Sequence, residues 1–148
     1  MEIEKTSGSV VVIDGSNAAS GGGFLPPRLG RISETAAAVA AKFPSARVVV
    51  VVDATLRHAL NSDDAAELLE LCRTGKVVSA PARTVGSGDR VVLELAAALG
   101  ALIVSNDCFA AFVDEYPLLL QEGRVFGIVA LDDLPVVLVP RQLGVHRG

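Results

Sequence analysis

The chain has 148 residues, 51% of them apolar and 20% charged, with a formal net charge of −4. That length supports one hydrophobic core, the apolar content excludes wholesale disorder, and the negative charge argues against a protein that coats nucleic acid non-specifically. No apolar run approaches the roughly 20 residues a membrane span needs, and the polar start, Met1 to Ser9, has no signal-peptide pattern. One domain over residues 1–148, in the cytoplasm, is the expectation. Cys72 and Cys108 lack zinc spacing and read as small apolar fillers.

In chain order, the first β-branched segment is Ser9 to Ile13, followed by Asp14-Gly15-Ser16-Asn17 and a Gly21-Gly22-Gly23 loop. An alanine-rich helix is predicted over Ser33 to Phe43, capped by Ser33 and stopped before Pro44. Arg47 to Val52 is the second strand. A helix over Asp63 to Thr74 places Ala66, Leu69 and Cys72 or Arg73 on one face and ends at Gly75. Lys76 to Ser79 is the third strand, Asp89 to Leu99 a helix ending at Gly100, and Ala101 to Ser105 the fourth strand. A short helix is expected from Asp107 to about Tyr116, before Pro117. Arg124 to Val129 follows as a strand, then Val136 to Val139 as a short edge strand ending at Pro140. The main strands are nearly continuous in hydrophobicity, as strands covered on both faces are. Their alternation with helices implies parallel β-α-β units with right-handed crossovers. There is no internal repeat and no linker.

The sharpest chemical signal is positional. Asp14, Asp53 and Asp107 each follow a predicted strand, and ligand sites in open α/β sheets form outside the strands' carboxyl ends. Asp89 opens a helix and can project to the same edge. Two carboxylates about 4 Å apart repel by roughly 4 kcal/mol at an effective dielectric near 20, so a group of them calls for a cation. Hard oxygen donors suit Mg²⁺ or Mn²⁺, which activate water and neutralise charge on a phosphodiester. Each acid also has a purely structural role open to it: Asp14 and Asp53 as turn caps, Asp89 and Asp107 as helix caps. Those roles do not explain convergence on one edge. Asn17 either holds its loop or orients Asp14.

Other features carry less. Gly86-Ser87-Gly88 lacks the Walker lysine and the spacing of a dinucleotide fingerprint. Ser16 stands where an aspartyl phosphatase needs its second acid, and His58 and His146 are not spaced as a metal pair. Arg28, Arg57, Arg83 and Arg90 are candidate phosphate contacts, although any one of them is more often a solvated surface charge. The tail, Arg141 to Gly148, is basic and reads either as an RNA contact or as a frayed end.

Val11-Val12-Ile13-Asp14-Gly15-Ser16-Asn17 resembles the opening strand of NYN domains, the PIN-like ribonuclease group that includes the Regnase proteins. Lys76 to Arg83 followed by Gly88-Asp89-Arg90 resembles the family's third strand, loop and acidic helix start. Leu102-Ile103-Val104-Ser105-Asn106-Asp107-Cys108-Phe109 resembles its fourth-strand signature, and the match runs over roughly residues 9 to 130. The resemblance implies a PIN-like three-layer α/β/α sandwich with a central, mostly parallel sheet. It implies endonucleolytic cleavage of RNA, single-stranded or stem-loop, with Mg²⁺ or Mn²⁺. Asp14, Asp89 and Asp107 are then the catalytic metal-binding acids and Asn17 a supporting residue. Ser105 joins Asn17 in positioning them, and Arg57, Arg83 and Arg90 hold the RNA backbone.

Two departures stand out. The family often has paired acids where this chain has Gly88-Asp89, and a further acid where it has Ala111. Asp53 is the auxiliary acid that could compensate, as is Asp114, one heptad beyond Asp107. Small PIN-like domains often pair, which makes a homodimer one expectation, although no interface stands out. The competing readings are a non-catalytic RNA-binding or protein-interaction module with a degenerate site, and the nuclease of a toxin–antitoxin pair.

Overall fold

The sequence Val-Val-Val-Ile-Asp forms β1 (Val10–Asp14), and its side chains enter two cores in alternation. Val11 and Ile13 join one core, Val12 the other, which is why the run is apolar without a polar face. The computed structural model describes residues 9–81, 87–131 and 133–144. In it β2 (Arg47–Asp53), β3 (Val78–Ala80), β4 (Leu102–Val104), β5 (Val125–Val129) and β6 (Val137–Arg141) complete a six-stranded sheet in the order β3-β2-β1-β4-β5-β6. Neighbours from β3 to β5 are parallel, and β6 runs antiparallel on the edge.

Helices α1 (Gly15–Ala19), α2 (Gly30–Lys42) and α3 (Ser62–Arg73) cover one face through Ala18, Ile32, Val39 and Leu68. On the other face α4 (Ser87–Leu99) packs Val92, Leu93 and Ala96 against Val12, Val51 and Ile103. The result is a three-layer α/β/α sandwich with a mostly parallel sheet. Among the described residues no helix is long and apolar enough to cross a membrane.

The chain moves outward from β1 to β2 and β3, then returns to place β4 on the other flank of β1. A topological switch point therefore lies between the carboxyl ends of β1 and β4, the place where ligand sites form in open α/β sheets.

Several local expectations change in the folded chain. α2 begins at Gly30, not Ser33, and Leu29 at its cap position has no side-chain cap. The Leu29 N–H is satisfied instead by Asp64 Oδ2 of α3 at 3.0 Å, a tertiary cap with no local signature. α3 buries Leu68 and half-buries Leu71 and Cys72, while Ala66 and Leu69 face solvent, so its inward face is rotated from the predicted one. No α-helix follows Asp107; 3-10 turns occupy Ala110–Phe112 and Pro117–Leu120. β6 continues through Pro140, which lies opposite Phe126, because an edge strand has one side on which a missing N–H costs no ladder bond. Arg141 closes that strand and Leu143 is buried, so the first part of the supposed tail belongs to the fold.

Candidate active site at the carboxyl edge of the sheet

Asp14 ends β1 and is nearly buried. Its Oδ1 accepts the Asn17 N–H at 3.3 Å and caps α1, a short helix that the sequence reading missed. Its Oδ2 accepts the Ser105 hydroxyl at 2.8 Å. Ser105 follows β4 directly and is buried, and its Oγ also accepts the Asp107 N–H at 3.0 Å. One hydroxyl thus ties an acid on β1 to the backbone of an acid beyond β4, across the switch point. Asp107 Oδ1 accepts the Phe109 N–H at 2.8 Å, and this turn holds buried Phe109 at a left-handed φ of 51°. The aspartate therefore closes a turn where a helix start was expected.

The second asparagine does as much as the first. Asn17 Oδ1 accepts the Asn106 N–H at 2.9 Å. Asn106 Oδ1 accepts the Ile128 N–H at 2.7 Å, while Nδ2 donates to the carbonyls of Ile128 at 2.9 Å and Gly22 at 3.3 Å. Its amide behaves as a strand residue paired to β5 and fastens the glycine loop to the same point. Arg141 Nη1 donates to the Ser105 and Asp107 carbonyls at 2.7 and 2.9 Å, fixing that segment from below the edge strand. Sequence reasoning assigned no role to Asn106 and read Arg141 as tail. The one local signal was an amide side chain immediately after a strand.

Asp53 ends β2, and its N–H donates to Ser16 Oγ at 2.9 Å. A Cβ at position 88 would lie 2.6 Å from Asp53 Oδ1. The first turn of α4 can approach this carboxylate only because residue 88 is glycine. Position 88 and the Asp53 carboxylate therefore lie against each other at this edge. Asp89, in that same turn, is half-buried.

Asp14 and Asp89 each feel the charge of other acids at this edge. Burial raises Asp14 to about 6, against hydrogen bonds from Ser105 and Asn17, with the charges of Asp107 and Asp53 pushing further upward. Asp89 is raised to about 7, first by burial, then by Asp107, Asp14 and Asp53, and by a hydrogen bond with Asp107. Among the described residues, no cation stands with the groups that lower either acid. Among the described residues, however, no three acidic, histidine or cysteine side chains form a group able to hold a metal ion by themselves. The acids sense one another without forming a closed ligand set. Mg²⁺ does not require one, since it keeps waters and takes one or two carboxylates plus substrate phosphate oxygens. The all-oxygen donor set fits such a hard cation and suits no soft one.

The arginines separate. Arg57 is exposed on a 3-10 turn, Leu56–Ala59, and lines a pocket of about 170 Å³ with Asp53 and Ser79. Arg90 is engaged elsewhere, 2.8 Å from Glu115 and stacked 5.1 Å over the Phe112 ring. Arg83, His146 and Gly86 lie outside the described residues. Asp114 is exposed and has no helix to bring it onto a common face with Asp107, so it does not join the site.

A mostly parallel six-stranded sheet with helices on both faces, and aspartates at the carboxyl ends of β1 and β2, defines an α/β sandwich domain. The profile of the Zc3h12a-like ribonuclease NYN domain matches residues 7–122, and the chain belongs to that family. Among solved structures it is similar to nuclear proteinaceous RNase P 2 of Arabidopsis thaliana, with a TM-score of 0.61 and 14% identity. That likeness covers 90% of this chain and 30% of the other, and it concerns the fold. No curated protein matches the sequence.

Proposed function

We propose that this domain is an endoribonuclease that works with Mg²⁺ or Mn²⁺ and cuts RNA at the carboxyl edge of the sheet between β1 and β4. The observation that carries the proposal is the Ser105 hydroxyl held between Asp14 and Asp107, with Asp53 and Asp89 close enough to raise the cost of ionisation. Membership of a ribonuclease family supplies the substrate class. Asp14, Asp89 and Asp107 would hold the cation, directly or through water. When bound, it supplies Lewis-acid activation of water and neutralises charge on the phosphodiester.

The residues of the chain do the rest. Ser105 and Asn17 fix the Asp14 carboxylate, whose oxygens retain acceptor capacity beyond those two bonds. The turn at Asp107 fixes the second acid, and Asp53 supplies the carboxylate that position 88 lacks. Among the described arginines, exposed Arg57, which shares a pocket wall with Asp53, would meet a phosphate there. We propose single-stranded or stem-loop RNA as the substrate form.

The test compares wild type with Asp107→Asn on single-stranded and stem-loop RNA, in Mg²⁺, Mn²⁺ or EDTA. Internal cleavage by wild type only with metal, reduced at least about a hundredfold by the substitution, is expected. The second reading, an RNA-binding module without catalysis, draws on the lack of a closed three-ligand group among the described residues. Tight RNA binding by folded wild type with no cleavage in either metal would establish it instead.

A further inference from the structure

The loop that leaves the site carries the most exposed aromatic ring of the protein. Phe24 is 85% exposed, whereas Phe43, Phe109, Phe112, Tyr116 and Phe126 are buried or half-buried. A single exposed apolar side chain is ordinary on a protein surface. What sets Phe24 apart is how it is held, and beside what.

Gly21, Gly22 and Gly23 have φ values of 63°, 97° and 108°, a left-handed run that side chains would resist. The Ser20 carbonyl accepts the N–H groups of Gly23, Phe24 and Leu25 at 3.1, 3.0 and 2.9 Å. Gly22 donates to the Asn17 carbonyl at 2.9 Å, and its own carbonyl accepts Asn106 Nδ2. Buried Arg31 secures the far end, donating to the carbonyls of Ala19 and Pro26 at 2.9 and 2.5 Å. The loop is therefore fastened to Asn17, whose N–H donates to Asp14, and to Asn106, whose N–H donates to Asn17. A Cβ at Gly23 would meet Asn17 Nδ2 at 3.6 Å, so Phe24 stands one residue from a position in contact with the site. Exposure forfeits the burial free energy a phenylalanine normally contributes, so stability does not account for the arrangement.

Beyond Phe24 the chain lines a cleft of about 580 Å³ with Arg28, Arg31 and Glu34 from one stretch and Leu131, Asp133 and Leu134 from another, so acids share its walls with the arginines. We propose that Phe24 is a stacking platform for an unpaired base of the RNA beside the scissile phosphate. Exposed Arg28, in the cleft wall, takes the phosphate of the next nucleotide. This subsite rests on the nuclease reading above and adds a selection rule to it. An aromatic face stacks on any base, but only on one whose own face is free, so Phe24 favours unpaired over helical RNA.

The chain has no tryptophan, so Phe24→Trp creates a single reporter whose emission a stacked base quenches. In an Asp107→Asn background with Mg²⁺, titration with a short labelled oligouridylate should quench it saturably. The dissociation constant should match that from anisotropy of the same RNA, and a blunt duplex should quench little. Phe24→Ala should weaken single-strand binding roughly 5- to 150-fold, and in the active protein raise KM with little change in kcat. Phe24→Tyr should restore both. RNA binding by anisotropy with an unquenched tryptophan, and Phe24→Ala binding like wild type, would overturn the subsite and leave the nuclease standing. No RNA binding by any variant, with no cleavage by wild type, would remove both.

Discussion

Asp14 illustrates how a single carboxylate can be costly to fold and useful once folded. It is buried and still accepts two hydrogen bonds, yet burial outweighs them and raises it to about 6. An acid whose folded pKa lies above its unfolded value binds more protons in the native state, so stability declines as pH rises between the two values. For Asp14 that window runs from 3.8 to about 6, and for Asp89 from 3.8 to about 7. Linkage puts the loss from Asp14 at about 3 kcal/mol, and the shift of half-exposed Asp89 adds to it after a discount for solvent screening. In EDTA, the urea midpoint should therefore fall as pH rises through that window, and Mg²⁺ at neutral pH should raise it again. A midpoint that climbs with pH in EDTA would mean that the acids are ionised at no cost, and the case for a cation would weaken. Asp14 was legible from its place at the end of an apolar run. The direction of its pKa shift was not, because that depends on what covers it.

At the scale of elements, Asn106 is the joint between β4, β5 and the glycine loop. Its amide replaces backbone partners for Ile128, and Gly127 leaves room for it, since a Cβ there would lie 2.7 Å from Asn106 Oδ1 and 2.8 Å from Arg141 Cδ. Asn106→Ala should cost roughly 2–4 kcal/mol, because three side-chain bonds vanish and the Ile128 N–H is left unpaired. Urea unfolding with an unchanged m-value measures this, and a loss below about 0.5 kcal/mol would show that β4 and the loop stay in place without it. The connection after β4 teaches a related lesson. Asp107 to Tyr116 has helical composition, but the Asp107 turn and the buried Phe109 ring divert it into 3-10 turns. Propensity lost to packing there, as it does wherever a buried side chain fixes the backbone.

For the molecule as a whole, a net charge of −4 leaves RNA attraction to local arginines. Arg57 is exposed beside Asp53, whereas Arg90 is occupied by Glu115 and Phe112. Arg57→Ala should weaken RNA binding several-fold and lower the slope of log K against log salt by about 0.7, the share of one single-strand phosphate. Arg90→Ala should leave RNA affinity within about twofold, as expected of a mostly structural cation. If Arg90→Ala lowered the salt slope as well, its pairing with Glu115 must give way when RNA arrives.

The strands, their parallel order of α/β units and the acids at their ends were written in the sequence. Strands buried on both faces must be apolar throughout, so the first polar residue after each run marks an edge: Asp14, Asp53 and Ser105 all stand at such a point. The tertiary structure alone decided what joins those edges. Leu29 finds its cap on α3, 35 residues away, and Asp14 finds Ser105 across 91 residues. Asp53 fills the space that Gly88 leaves, and Arg141 reaches back beneath Asp107. Such partners have no local period or turn signature, because a hydrogen bond depends on where the folded backbone brings two groups and not on how far apart they lie in the chain.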